Sequence, residues 1–110
     1  MILTDDTKIL ANAFTLNMVN FDTLQKGINV NVVPITREDA LNRMTMSAIG
    51  HQDLADMLNV DCNRINIELN VGDSILVCQR IGKRLNKGAT KIDSNGDFIL
   101  AFFEVTIQSL

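Results

Sequence analysis

The stretch Phe98-Ile99-Leu100-Ala101-Phe102-Phe103-Glu104-Val105-Thr106-Ile107-Gln108 restricts the fold more than any other part of the chain. In an extended strand, successive side chains point to opposite faces. Ile99, Ala101, Phe103, Val105 and Ile107 then share one face, and Phe98, Leu100 and Phe102 the other. The first half is therefore apolar on both sides. Such a strand has to be covered on both faces, which puts it inside a sheet with helices on at least one side. Its unbroken apolar portion ends at Phe103, far short of the roughly 20 residues that a membrane helix needs.

The other elements follow from local patterning. Lys8 to Asn12 reads as a short first strand, and Ile28 to Val33 as a second, alternating and rich in β-branched residues. Pro34 either ends the second strand or marks it as an edge. The stretch from Val19 to Lys26 has no period and receives no assignment. Thr36-Arg37-Glu38-Asp39 has the form of a capping box, with Ala40, Leu41 and Met44 as a short apolar face behind it. Arg64 to Leu69 alternates strictly, so a strand with Ile65, Ile67 and Leu69 facing the core is expected. After the turn Asn70–Asp73, Ser74 to Ile81 should return as its antiparallel hairpin partner. Gly82 to Gly88 is a basic loop, and Ser94 to Asp97 a turn. These elements give an α/β or α+β fold, one domain over residues 1–110, with a mixed sheet of about five strands flanked by short helices.

The chemistry centres on Ser47-Ala48-Ile49-Gly50-His51. His51 is the single histidine. It precedes Gln52 to Asn59, where apolar residues at 54, 57 and 58 have helical spacing. The imidazole thus lies beside a helix N-terminus, where backbone N–H groups can bind an anion, and Gly50 lets that anion approach the backbone. On the local pattern alone, a surface histidine beside a cap is the more frequent case. The remaining residues narrow the chemistry. No Cys/His/carboxylate cluster has the spacing of a metal site, and there is no phosphate loop or dinucleotide fingerprint. Metal and cofactor are accordingly expected to be none. A net charge of −3 does not supply the cationic face that duplex nucleic acid needs. Cys62 and Cys78 fit two buried thiols of a cytoplasmic protein. His51 as an acid, with Arg64 and Arg84 on phosphate charge, suits cleavage of an RNA phosphodiester by its own 2′-hydroxyl.

Four motifs carry a resemblance. They are Leu10-Ala11-Asn12-Ala13-Phe14-Thr15-Leu16-Asn17-Met18; Ser47-Ala48-Ile49-Gly50-His51; Asn63-Arg64; and Gln79 with Gly82, Arg84-Leu85 and Gly88. In this order and over nearly the whole chain, they resemble the viral ring nucleases. These are small type III anti-CRISPR proteins of archaeal viruses and phages, with relatives on bacterial mobile elements. The resemblance implies a homodimer that binds cyclic tetra-adenylate across its two-fold axis. It also implies metal-independent cleavage to linear di-adenylate with cyclic phosphate ends. On that likeness His51 is the general acid and Arg84 its catalytic companion. Asn12, Thr15, Asn17, Gly50 and Arg64 bind the ligand, with Thr15 where many members have serine. Many members also carry a glutamate in an Arg-Leu-x-Glu-Gly pattern, where this chain has Lys87. That departure leaves room for a protein that holds a cyclic nucleotide without cutting it. The acidic charge and the apolar last strand leave room for a structural or protein-interaction role.

Overall fold

The long apolar strand lies inside a sheet. The computed structural model describes residues 8–82 and 98–110. In it, β5 (Phe98–Ser109) pairs antiparallel with β2 (Ile28–Ile35) on one side and with β4 (Ser74–Gly82) on the other. Beyond β4 the sheet turns parallel, through β1 (Ile9–Ala11) to β3 (Met46–Ala48), giving the order β2-β5-β4-β1-β3. The fold is α+β, a five-stranded mixed sheet with the three short helices α1 (Phe21–Lys26), α2 (Arg37–Arg43) and α3 (Gln52–Leu58).

Alternation along the strands produces two cores. Ile9, Ala11, Ile75, Val77, Val105 and Ile107 are buried on one face, beneath Val19, Ile67 and Leu69. Leu10, Leu76, Cys78 and Phe102 are buried on the other, beneath Ala40 of α2 and Leu54, Ala55 and Leu58 of α3. On β5 the buried residues are Val105 and Ile107 on one face and Phe102 on the other, whereas Ile99, in the half that is apolar on both sides, is exposed.

Two expectations are overturned here. Arg64 to Leu69 is not a strand, and Ser74 does not begin its hairpin partner. The side chains alternate as expected, with Ile67 and Leu69 buried and Arg64 and Asn66 exposed. The backbone, however, pairs elsewhere. Leu69 N–H donates to Met18 O at 2.6 Å, and Asn20 N–H donates to Leu69 O at 2.9 Å. Both edges of β4 are filled, by β1 and β5, so the segment lies over a face of the sheet and still buries its apolar side. The second correction concerns the thiols. Cys78 is buried and burial pushes its pKa up to about 11, whereas Cys62 is exposed on the return from α3.

Other elements sharpen what local patterning left open. Pro34 marks an edge. β2 runs through it to Ile35, with Pro34 opposite Phe103, at an outer strand where a missing N–H is tolerated. Thr36 Oγ1 accepts from Asp39 N–H at 3.0 Å, so the expected cap of α2 forms. α1 fills the unassigned stretch. It has no fully buried residue, and Phe21 is exposed, so its sequence carries no apolar period to read. The basic loop, the Ser94–Asp97 turn, Arg84 and Lys87 lie outside the described residues. Among the described residues no helix is long and apolar enough to cross a membrane.

Candidate functional site

The parallel strands β3, β1 and β4 run in one direction, so their carboxyl ends emerge together. Asn12 follows β1, Gly50 and His51 follow β3, and Gln79 and Arg80 lie towards the end of β4. In sheets with parallel strands the crevice outside those ends is where ligands bind. A cleft of about 530 Å³ lies there, lined by Asn12, Thr15, Gly50, His51, Arg64 and Asn66 among others.

Gly50 joins the cleft's polar residues through its backbone. Its N–H donates to Asn12 Oδ1 at 3.0 Å, and its carbonyl accepts from Arg64 Nε at 3.0 Å. A side chain at position 50 would intrude, since a Cβ would stand 3.3 Å from Arg64 Cγ and 3.7 Å from both Arg64 Nε and Asn12 Oδ1. The absent side chain lets the Arg64 stem lie against the backbone, and the Gly50 N–H is engaged by Asn12.

Arg64 reaches this position because the return from α3 is tied to β3. Ser47 Oγ donates to Asp61 O at 2.6 Å and accepts from Ile49 N–H at 3.2 Å. Asn63 N–H donates to Ile49 O at 2.8 Å, and Asn63 Nδ2 donates to Ser47 O at 3.1 Å. Ser47 and Asn63, both in the quoted motifs, thus hold the scaffold that carries Arg64. Only Nε of the Arg64 guanidinium has a partner among the described residues, and the two Nη groups are further donors of the fork.

His51 is the N-cap residue of α3, extended at φ −116°, with its side chain exposed and not used in capping. Its carbonyl accepts from Ala55 N–H at 3.0 Å. The first turn of α3 is served instead by Asp53, whose Oδ1 accepts from Leu54 N–H at 2.9 Å. Asp53 Oδ2 accepts from Arg80 Nη2, also at 2.9 Å. The Arg80 guanidinium, and after it the Leu54 amide, hold the Asp53 carboxyl below its ordinary value.

The model of the STIV B116-like family matches residues 8–96, through the whole of this arrangement. The chain belongs to the STIV B116-like family. A solved member, B116 of Sulfolobus turreted icosahedral virus, is 26% identical, with a TM-score of 0.58. The alignment covers 91% of this chain and 98% of that one. No curated protein matches the chain. The family takes its name from a viral protein.

In this STIV B116-like chain, Asn12, Thr15, Gly50, His51 and Arg64 come together at one cleft. Asn17 does not line it. It sits in the 3-10 turn Leu16–Met18, exposed to solvent. Arg80 is not among the site residues expected from the sequence, where the spacing of Gly82 and Gly88 favours Arg84 as the second arginine of the resemblance. Strand alternation puts Arg80 on the face of Leu76 and Cys78, which α3 covers. Its meeting with Asp53 needed the packing of α3 on β4, which no local pattern contains.

Proposed function

We propose that this protein is a metal-independent ring nuclease that opens cyclic tetra-adenylate to linear di-adenylate and so counters type III CRISPR immunity in the host cytoplasm. One observation carries the reading. Residues from three separate motifs of the ring-nuclease resemblance (Asn12 and Thr15; Gly50 and His51; Arg64) line a single cleft. Residues scattered along a chain for unrelated reasons would have no cause to converge there.

The ligand brings its own nucleophile. A ribose 2′-oxygen attacks the adjacent phosphorus and loses its proton to solvent. The bond from phosphorus to the 5′-oxygen breaks, and a 2′,3′-cyclic phosphate forms. His51 gives its proton to the departing 5′-oxygen and is reprotonated from water. Arg64 offsets phosphate charge through its Nη donors, and Arg84 does so in the transition state. Two such cuts turn a four-membered ring into two di-adenylates. A homodimer would supply a second His51 across a two-fold axis, matching the symmetry of the ring.

The test is incubation of the protein with labelled cyclic tetra-adenylate in excess chelator. Di-adenylate should accumulate, and His51→Ala should slow it by on the order of 10²–10⁴-fold while leaving binding in place. A requirement for metal would refute the mechanism. Tight binding with the ring left intact would establish the second reading, a nucleotide-holding protein, which Lys87 in place of the frequent glutamate favours.

A further inference from the structure

One apolar area of the sheet serves neither core. In Ile28-Asn29-Val30-Asn31-Val32 the apolar residues share one face of β2, and the asparagines share the other. Such alternation marks a strand with one buried side. Val30 and Val32 stand opposite the buried Ile107 and Val105, yet both valines are exposed, Val32 at 52%. Pro34 and Phe103 continue this face, and Ile99 and Ile81 end it on β5 and β4, with Ile99 59% exposed. None of these six residues belongs to either core. The cleft lies on the same side of the sheet, since Ala11, Ala48 and Ile67 of its lining belong to the core of this face. Gln79, opposite Ala101 on this face, also lines a hollow beside His51.

We propose that a second copy of this chain docks on this face, sheet against sheet, about a two-fold axis. Three observations carry it. The first is charge. None of the six side chains is charged, whereas the chain as a whole carries −3. Copies of an acidic chain repel one another, and an uncharged face is where they meet at least cost. The same net charge disfavours an anionic membrane as the occupant. The second is area. With Gln79 and Ala101 the face leaves roughly 500 Å² open, so two copies cover about 1,000 Å², the least that a specific interface needs. The third is position. Stacking two copies here turns both clefts toward the shared layer, so that each can hold half of one ring. That last role rests on the function proposed above; the surface itself does not.

Two measurements on the full chain test this. Sedimentation equilibrium compares wild type with Val32→Lys, Ile99→Lys, Val32→Thr and Val33→Lys, each with its circular dichroism and melting temperature. Wild type should be a dimer at micromolar concentration. Val32→Lys and Ile99→Lys should each raise the dimer Kd at least about tenfold, because the contact would bury an unpaired charge. Val32→Thr keeps the branched shape and the strand preference, and should raise it about threefold. Val33 is exposed on the opposite face of β2, so Val33→Lys should leave the Kd unchanged. Calorimetric titration with cyclic tetra-adenylate should give one ring per two wild-type chains. A wild-type monomer at millimolar concentration overturns the proposal; if that monomer still cuts the ring, the proposed function stands. A dimer that Val32→Lys and Ile99→Lys leave intact overturns the proposal too, as does one that Val33→Lys dissociates equally. If the dimer breaks as expected but no ring binds any form, the docking surface stands and the proposed function falls.

Discussion

Gly50 takes its place in the cleft through its backbone. Its N–H is held by Asn12 and its carbonyl by Arg64, and the absent side chain leaves room for the arginine stem. Gly50→Ala puts a methyl group 3.3 Å from Arg64 Cγ. The backbone conformation is open to alanine, since the positive-φ glycines are Gly27 and Gly72. The expected outcome is a displaced guanidinium with the fold intact. Binding of cyclic tetra-adenylate should weaken about tenfold, from disturbance of a charged hydrogen bond, while the melting temperature changes little. Calorimetric titration beside a thermal melt checks both halves. His51 is the complementary case. Its main chain caps α3 and its imidazole takes no part in capping, so removing the ring should touch chemistry far more than stability.

The helices are too short to stand by themselves, at six, seven and seven residues. Their caps and their packing therefore decide whether they form. α2 and α3 bury Ala40, Leu54, Ala55 and Leu58 against the sheet. α1 has no fully buried residue and depends more on its cap. Asn20 Oδ1 accepts from Asp22 N–H at 3.0 Å and Thr23 N–H at 3.3 Å, and its Nδ2 donates to Glu68. The same side chain thus caps α1 and joins it to the covering segment that ends at Leu69. Asn20→Ala should destabilise the protein by about 1–2 kcal/mol. Asn20→Ser, which retains a capping oxygen but not the Glu68 bond, should recover part of the loss. The urea midpoint of each variant measures it.

At the scale of the whole molecule, stability rests on a sheet with a core on each side. Ile75 and Leu76 are adjacent on β4, both fully buried, and belong to different cores. Replacing either by alanine should cost about 2–5 kcal/mol, because each face is packed independently of the other. Leu16, exposed on the 3-10 turn, serves as the control, and Leu16→Ala should stay within about 0.5 kcal/mol of wild type. Equilibrium denaturation of the three variants distinguishes a double-sided sheet from one with a single load-carrying face. In the single-faced case one of the two core substitutions would be nearly silent.

Much of this was legible in the order of residues. The facing of each strand, the interior position of Phe98–Ser109, the cap at Thr36 and the corner at His51 are local properties. Each depends on a neighbour a few residues away, and a periodic pattern records such neighbours directly. Motif order grouped Asn12, Thr15, Asn17, Gly50, His51, Arg64 and Arg84; of these, Asn12, Thr15, Gly50, His51 and Arg64 share the cleft, Asn17 does not line it, and Arg84 lies outside the described residues. Pairing was decided only by the tertiary structure. Arg64–Leu69 has a strand's alternation, yet β1 and β5, from opposite ends of the chain, occupy the two edges of β4 beside which it might have paired. Alternation fixes which side of a segment is buried and says nothing about which backbone lies next to it. The Arg80–Asp53 pair has the same origin. One residue lies on a strand and the other on a helix, and they meet because burial of Leu54, Ala55 and Leu58 sets α3 against the face from which Arg80 emerges.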